Sequence, residues 1–511
     1  MISKSTIKAN QAFFCWVGVF ACASLLYILT LAPDLVWQDQ GDYQYQVAKL
    51  VLNIPGDVVR VHPLYIVVTH FIGRAGLFSY AYCANLVSAI FTAIAVANIY
   101  LIVWFLVKRV WAGILAAGVC ALGHSTWFLG VQAQTYGMAN AAFTGCLLLM
   151  ILFIQQRRSV YLYWLGFIGG LGISAHMMSQ VGLAVIMVWL AVLCVKRKVA
   201  VRQLLFTIAA WVVGAGLLWY VMFLEYQQSG DFVATIASAI TGRWTGAVFN
   251  GGQLGLLVKR SFLFFVLNFP TPLVLLAIPG LICSFRKLGK ECSLLLFLSL
   301  VLYVLFAGRY RVPNQNNFFL PAYILISIYV GLGFGFIFEK TNRVAAVISA
   351  VLLVLIVPGY VGISAAARAS GFNVGSSYDV PYRDVYEYYL LPWQQNQVGP
   401  RRLLNEVFEV LPEDSVFFVD STPYSVFQYG QGVEGLREDV TVLQGSGDLE
   451  EIERYISSGR RIFTLYGWPD CPGWVKDESW LKAVAISESE NIFEVVVPIV
   501  HLINYPYFEE R

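Results

Sequence analysis

Two carboxylates three residues apart, Asp39 and Asp42, stand between the aromatic side chains of Trp37 and Tyr43, with a glycine at position 41. That spacing lets both acids reach one concave site. A carboxylate so placed can take the proton of a hydroxyl as the hydroxyl attacks, which is general-base chemistry. Both belong to the stretch LAPDLVWQDQGDYQYQVAKLVLNIPGDVVRVHPLY, residues 31–65, which holds four of the eight acidic residues among the first 365 positions: Asp34, Asp39, Asp42 and Asp57. Where a chain is otherwise apolar, ionisable groups tend to mark a pathway or a reaction centre. Asp34 and Asp57 have the plainer reading of solvated loop acids.

The surrounding composition is that of a polytopic membrane protein. Of 511 residues, 58% are hydrophobic and 13% charged, with mean hydropathy +0.67, outside the range of soluble globular domains. Charge is unevenly spread: residues 1–365 carry 23 Lys and Arg against 8 Asp and Glu, and residues 366–511 carry 11 against 23. The net +3 therefore conceals a basic membrane part and an acidic soluble tail. Eight of nine cysteines lie in or beside apolar segments and Cys471 stands alone in the tail, so no disulfide framework or Cys/His metal pattern can be built.

Apolar windows of spanning length begin near residues 12, 80, 111, 136, 160, 178, 203, 261, 292, 318 and 343. That predicts about eleven transmembrane helices. The first window follows Lys4 and Lys8 like a signal peptide, but its length and the spans that follow favour a retained helix. The segment 61–78 is interrupted by His62, His70 and Arg74. If it does not cross, the clusters at Lys108/Arg109, Arg157/Arg158, Lys196–Arg202, Arg286–Lys290 and Lys340/Arg343 all share the side of Lys4 and Lys8. The positive-inside rule then holds throughout. Residues 61–78 accordingly read as a juxtamembrane helix, and the acidic loop and tail lie outside the cytoplasm.

On that topology, His124, Gln132, Gln134, Tyr136, His176, Ser179 and Gln180 gather at outer helix ends. Any one of these is most simply an interhelical hydrogen bond; several at one level suggest a shared cavity. Arg243, Lys259, Arg260, Arg309 and Arg311 are cations on the side where the rule predicts few. They read either as snorkelling side chains or as holders of a phosphate, which an arginine fork grips bidentately. Glycines at 169, 170 and 172 and at 331, 333 and 335 read as close helix packing. No Walker, Rossmann or HExxH pattern and no strong internal repeat is present.

From about residue 366 the pattern becomes that of a small α/β domain. PRRLLNEVFEVL and LEEIERYISSG have helical periodicity, and VFFVD, DVTVL, RIFTLY and FEVVVPIV read as strands. Ser421 or Thr422 is expected as the cap of a helix after the first strand. The expected domains are thus residues 1–365, with an acidic loop at 32–60 and the juxtamembrane helix at 61–78, followed by an extracytoplasmic domain at 366–511.

Several motifs in this order resemble the GT-C class of membrane glycosyltransferases, and within it the bacterial relatives of the endoplasmic-reticulum protein O-mannosyltransferase that acts on IPT-type domains. They are Thr30-Leu31-Ala32-Pro33, Trp37, Asp39-Gln40-Gly41-Asp42, His62-Pro63-Leu64-Tyr65 and Asn85-Leu86-Val87-Ser88-Ala89. His124-Ser125-Thr126-Trp127, Gln134-Thr135-Tyr136, Gly172 to His176, Tyr310-Arg311-Val312-Pro313, Phe319-Leu320-Pro321 and Val380 to Asp384 continue the series. The sequence departs from the family pattern at Gln134 and Asn314, where the family carries acids, and in a shortened turn before His62.

The resemblance implies a GT-C-like helical membrane domain that moves a sugar, for which mannose is the family precedent, from a polyprenyl-phosphate donor to an acceptor hydroxyl on a protein or glycan, with inversion. It implies Asp39 as base with Asp42 orienting the acceptor or sharing the role. Arg309 and Arg311, with Lys259 and Arg260 in reserve, would bind the donor phosphate. Trp37, Tyr43, His62, Gln134, Tyr136, His176 and Arg243 would contact substrate. No cofactor or metal is expected, although Asp39 and Asp42 could ligate a divalent ion, and no nucleic-acid partner is expected. The expected location is the inner (plasma) membrane, with a cytoplasmic N-terminus and a periplasmic C-terminal domain. Two other readings stay open: a transporter or flippase of a lipid-linked or anionic solute, and a catalytically silent scaffold.

Overall fold

A computed structural model describes residues 4–242, 246, 254–310, 312, 314–338, 342–374, 380–445, 449–467, 469–475 and 477–496. By its internal contacts the chain divides into two compact units. The helical unit comprises residues 1–31, 50–374 and 386–395, and the sheet unit comprises residues 32–49, 375–385 and 396–511. The acidic segment that opens the chemistry thus packs with the C-terminal domain.

The chain runs through α1 (Lys4–Leu29), α2 (Gln38–Lys49), α3 (Pro63–Gly73), α4 (Tyr80–Val107), α5 (Val110–Ala121), α6 (His124–Gly130), α7 (Tyr136–Gln156), α8 (Val160–Ala175) and α9 (Ser179–Val195). There follow α10 (Val201–Gly214), α11 (Gly216–Ser229), α12 (Phe232–Ile240), α13 (Leu254–Asn268), α14 (Ala277–Lys287), α15 (Lys290–Arg309), α16 (Leu320–Ile337), α17 (Arg343–Val354) and α18 (Ile356–Ala369). Among the described residues six helices are long and apolar enough to cross a membrane, and nine spans result if each of three bent pairs counts as one. The figure of eleven is reached only by adding the shorter apolar helices α8 and α9. The bends fall between α5 and α6 (65°), α10 and α11 (60°), and α13 and the Pro272–Lys287 segment (107°).

Small residues set the tightest helix contacts, as their clustering predicts. A Cβ on Gly170 would strike the Trp211 carbonyl, and one on Gly333 the Leu276 carbonyl, so α8 meets α10, and α16 meets the segment before α14, backbone to backbone. At one end of the bundle Glu291 accepts from Arg157 Nη2 and Lys198 Nζ, both at 2.8 Å. One carboxylate there gathers the ends of α7 and α9 with the start of α15, three of the segments flanked by basic clusters.

α19 (Val385–Leu390) falls, but for its first residue, in the helical unit, and the sheet unit adds α20 (Gly399–Val410), β1 (Val416–Val419), α21 (Ser421–Gly432), β2 (Thr441–Gln444), α22 (Leu449–Ser457), β3 (Ile462–Thr464), β4 (Leu481–Ala485) and β5 (Asn491–Val495). Strand order is β2-β1-β3-β5-β4, with β1 parallel to β2 and β3, and β5 antiparallel to β3 and β4. Every residue of β1 is buried, as a central strand covered on both faces must be. Alternation then sorts its side chains. Phe417 meets Phe427 of α21 at 5.2 Å, while Val416 and Phe418 join Ile452 of α22 and Trp474 on the other face. The sequence pattern missed β4, whose LKAVA is mostly exposed along the sheet edge. The cap of α21 is Asp420, which accepts from Thr422 N at 3.0 Å, and not Ser421 or Thr422.

Candidate active site

The candidate residues are divided between the two units. In the sheet unit, Asp39 lies in the first turn of α2 and is exposed, while Asp42 is half-buried and its Oδ2 accepts from Gln46 Nε2 at 2.8 Å. At 100° per residue, positions 39, 42 and 46 share one helix face. Tyr43 is half-buried. Trp37 is wholly buried with its indole against Gly399, and its N–H has no acceptor in the protein. Gln38 turns the chain into the helix with φ of 58°, the left-handed region that a non-glycine residue adopts at some cost. The Gln44 side chain holds the entry in place, accepting from Val36 N at 3.1 Å and donating to Asp34 O at 3.0 Å.

Asp34 is no solvated loop acid. It accepts from Arg401 Nε at 2.6 Å and Nη2 at 3.2 Å, and the same guanidinium reaches Glu434 at 2.6 and 2.7 Å. Burial works against the Arg401 charge, but the bonds to Glu434 and Asp34 outweigh it and raise its pKa. Asp57, in the helical unit, is not solvated either: it is 7% exposed and lies 3.8 Å from Arg60.

In the helical unit three of the predicted residues meet in a column of rings. His62, with Pro63 as the first residue of α3, stacks on His176 with centroids 4.7 Å apart and planes 14° apart. His176 lies 4.9 Å from Tyr136. Phe318 then stands edge-on to Tyr136 at 6.1 Å and to Tyr310 at 4.5 Å.

The backbone beneath this column is tied by Ser88 of α4. Gln134 N donates to Ser88 Oγ at 2.8 Å, the Gln134 carbonyl lies 2.9 Å from the same hydroxyl, and Tyr65 OH stands 3.1 Å away while donating to Ala84 O. Thus the His-Pro-Leu-Tyr, Asn-Leu-Val-Ser and Gln-Thr-Tyr motifs, distant in sequence, close on one hydroxyl. Ser88, Tyr310 and Phe318 were not singled out as site residues from sequence. For Ser88 the available signal was a hydroxyl within a long apolar helix.

The imidazoles are neutral. Burial pushes His176 down to about 4, and burial, then His176 and Arg60, lower His62 well below its usual value. His176 Nδ1 accepts from Met178 N at 3.0 Å, which leaves the ring proton on Nε2 as a donor. Gln134 Oε1 and Thr135 Oγ1 are buried with no partner in the protein, a condition native structures reserve for special positions. Burial and the nearby Asp57 charge keep the Tyr310 phenol protonated to higher pH than usual. Donors, acceptors and rings of this kind suit a neutral polyhydroxylated ligand.

Other members of the expected polar group are packing residues. His124 sits between Phe128 and Tyr360, Gln132 bonds to the Phe128 carbonyl, and Gln180 bridges Gly169 O, Ser179 and Trp211. Arg309 is exposed at the end of α15, next to Tyr310; Lys259 and Arg260 are exposed on α13, which packs against α15. Arg243 and Arg311 lie outside the described residues. Among the described residues no three His, Cys, Asp or Glu side chains gather as a metal site.

The fold is that of the GT-C membrane glycosyltransferases. The chain superimposes on the crystal structure of ArnT from Cupriavidus metallidurans bound to undecaprenyl phosphate with a TM-score of 0.56, covering 95% of this chain and 98% of that one at 13% identity. Its sequence resembles the protein O-mannosyltransferases within that class. Residues 39–202 match the family model described as Protein O-mannosyl-transferase TMEM260 N-terminal domain. The mouse Protein O-mannosyl-transferase TMEM260 is 24% identical over 464 residues, 84% of this chain and 62% of that protein. The chain therefore spans about three fifths of the length of that curated relative.

Proposed function

We propose that this chain transfers a sugar, mannose by family precedent, from a polyprenyl-phosphate donor to a hydroxyl of a protein or glycan acceptor on the extracytoplasmic face of the plasma membrane. The acceptor oxygen attacks the anomeric carbon as the bond from that carbon to phosphate oxygen breaks, inverting its configuration. The hydroxyl proton passes to Asp39, and polyprenyl phosphate leaves. Asp39 is exposed in the first turn of α2 and Asp42 lies on the same helix face, which supports Asp39 as base and Asp42 as its orienting neighbour.

Arg309 with Arg311, and Lys259 or Arg260, would offset the charge gathering on the phosphate. The neutral His62–His176–Tyr136 column, with Gln134, would hold the sugar by N–H donation and ring contact; Trp37, Tyr43 and Arg243 are the remaining substrate contacts. On this reading the N-terminus is cytoplasmic, the C-terminal domain periplasmic, and no cofactor is needed. The observation that carries the reading is that the family match begins at Asp39 and runs through His62, Ser88, Gln134, Tyr136 and His176. A donor lipid of this kind is supported by the undecaprenyl phosphate bound to the ArnT that shares the fold.

The test is release of polyprenyl phosphate from a panel of polyprenyl-phosphate sugars by the purified protein, with envelope extract as acceptor. Release by the wild type, lost in Asp39→Asn, is the expected result and names the sugar. Equal release by both proteins removes Asp39 as base. No release beside an active enzyme of the class, with donor flux in proteoliposomes, replaces transfer by transport.

A further inference from the structure

We infer that α21 of the C-terminal domain is the seat of α2, and that Ser425 and Gly41 are positioning residues for the Asp39 carboxylate; this rests on the function proposed above. A twelve-residue helix of mean polar character such as α2 has little stability of its own. Its geometry must come from what it packs against, and within the sheet unit that is chiefly α21.

Three attachments define the seat. Ser425 Oγ donates to the carbonyl of Gln38 at 3.0 Å, the residue whose left-handed backbone starts the helix. Gly41, between the two acids, approaches α21 so closely that a Cβ there would collide with Ser425 Oγ and with the Val36 carbonyl. Farther along, the Tyr45 ring covers Gly432, where a Cβ would come within 2.7 Å of it. Arg401 fixes the approach by joining Asp34, before α2, to Glu434, after α21.

Positions 38, 41 and 45 form the seated face, and positions 39, 42 and 46 lie about a quarter-turn round the helix from it. Seating therefore fixes the rotation of α2 and the direction of its acids without covering Asp39. A catalytic group displaced by about 1 Å can lose roughly 100-fold in rate. This gives the sheet domain a part in turnover although its own strands carry none of the proposed catalytic groups.

The test uses the full-length protein and two independent readouts: kcat and donor KM for polyprenyl phosphate release, and hydrogen exchange of the backbone amides in residues 38–49. In Gly41→Ala the added methyl should unseat the helix and lower kcat about 10- to 100-fold. Ser425→Ala should lower it severalfold and Ser425→Thr, which keeps the donor, should restore part of the loss. Donor KM should stay within about twofold, because the donor-phosphate cations are carried by other segments. Exchange should accelerate in 38–49 while that of 399–410 is unchanged. Should Gly41→Ala loosen the whole domain, Ser425→Ala decides.

Wild-type kcat in both Gly41→Ala and Ser425→Ala, or unaltered exchange in 38–49, overturns the inference. If the wild type and Asp39→Asn release carrier equally, Asp39 is not the base of the proposed function, while the exchange result still decides whether α21 seats α2.

Discussion

The two units hold their chemistry-bearing residues in opposite ways. In the sheet unit the groups are acidic side chains: Asp39 and Asp42 project from a short helix whose approach is braced by the Asp34–Arg401–Glu434 network. In the helical unit the corresponding groups are neutral rings and amides, stacked and fastened by backbone hydrogen bonds to Ser88 and His176. Burying an unpaired charge is far more costly than burying a bonded neutral group. An exposed helix in the one unit can therefore carry acids, while the interior of the other carries neutral donors.

The strongest way to break this comparison is to remove the charge. Asp39→Asn is expected to cut turnover by about 10²- to 10⁴-fold with an unchanged thermal midpoint, measured as carrier release beside a melting curve. A loss below tenfold, with a full loss in Asp42→Asn, would move the role of base to the second acid.

The neutral column should respond through binding energy. His176→Phe keeps the ring contacts but loses the Nε2 donor, and is expected to lower kcat/KM for the donor about 10-fold or more, with His176→Gln intermediate. Its pH dependence has a definite sign. The His176 pKa in the folded protein, about 4, lies below the ordinary histidine value. Its contribution to stability is therefore complete above about pH 6.5 and is lost as pH falls toward 4. Melting temperatures across that interval should fall less steeply in His176→Phe than in the wild type; an equal slope would mean that folding does not shift the His176 pKa.

A smaller effect is expected at the fastening itself. Ser88→Ala leaves Gln134 N and the Tyr65 hydroxyl to find other partners and should cost about 1–3 kcal/mol of stability, read by thermal unfolding in detergent. The least change is expected from Arg401→Met in the sheet unit, about 1–2 kcal/mol and diminishing with added salt. A salt-insensitive loss would show that Arg401 acts through its packing and not through its charge.

The membrane class and the sheet domain's core strands were legible in sequence because apolar length and period-2 alternation are local signals. Asp34 and Asp57 were misread. The partner of Asp34, Arg401, is 367 positions away and cannot be recognised by spacing, whereas Arg60 stands only three residues from Asp57 and it is the burial of Asp57 that the sequence did not reveal. Asp420, Ser421 and Thr422 are three adjacent residues that all cap helices well, and only backbone geometry distinguishes them.

By itself the sequence determined that this chain spans a membrane repeatedly, carries an α/β domain, and gathers half of the few acids of its membrane part in one early stretch, since each follows from composition and periodicity. Only tertiary structure decided that the segment 32–49 packs with a domain encoded more than 300 residues later, and that His62, Ser88, Gln134 and His176 share one place. The physical reason is the same for both. A short polar helix and a set of isolated polar side chains have no local preference strong enough to fix their position, so long-range contacts must supply it.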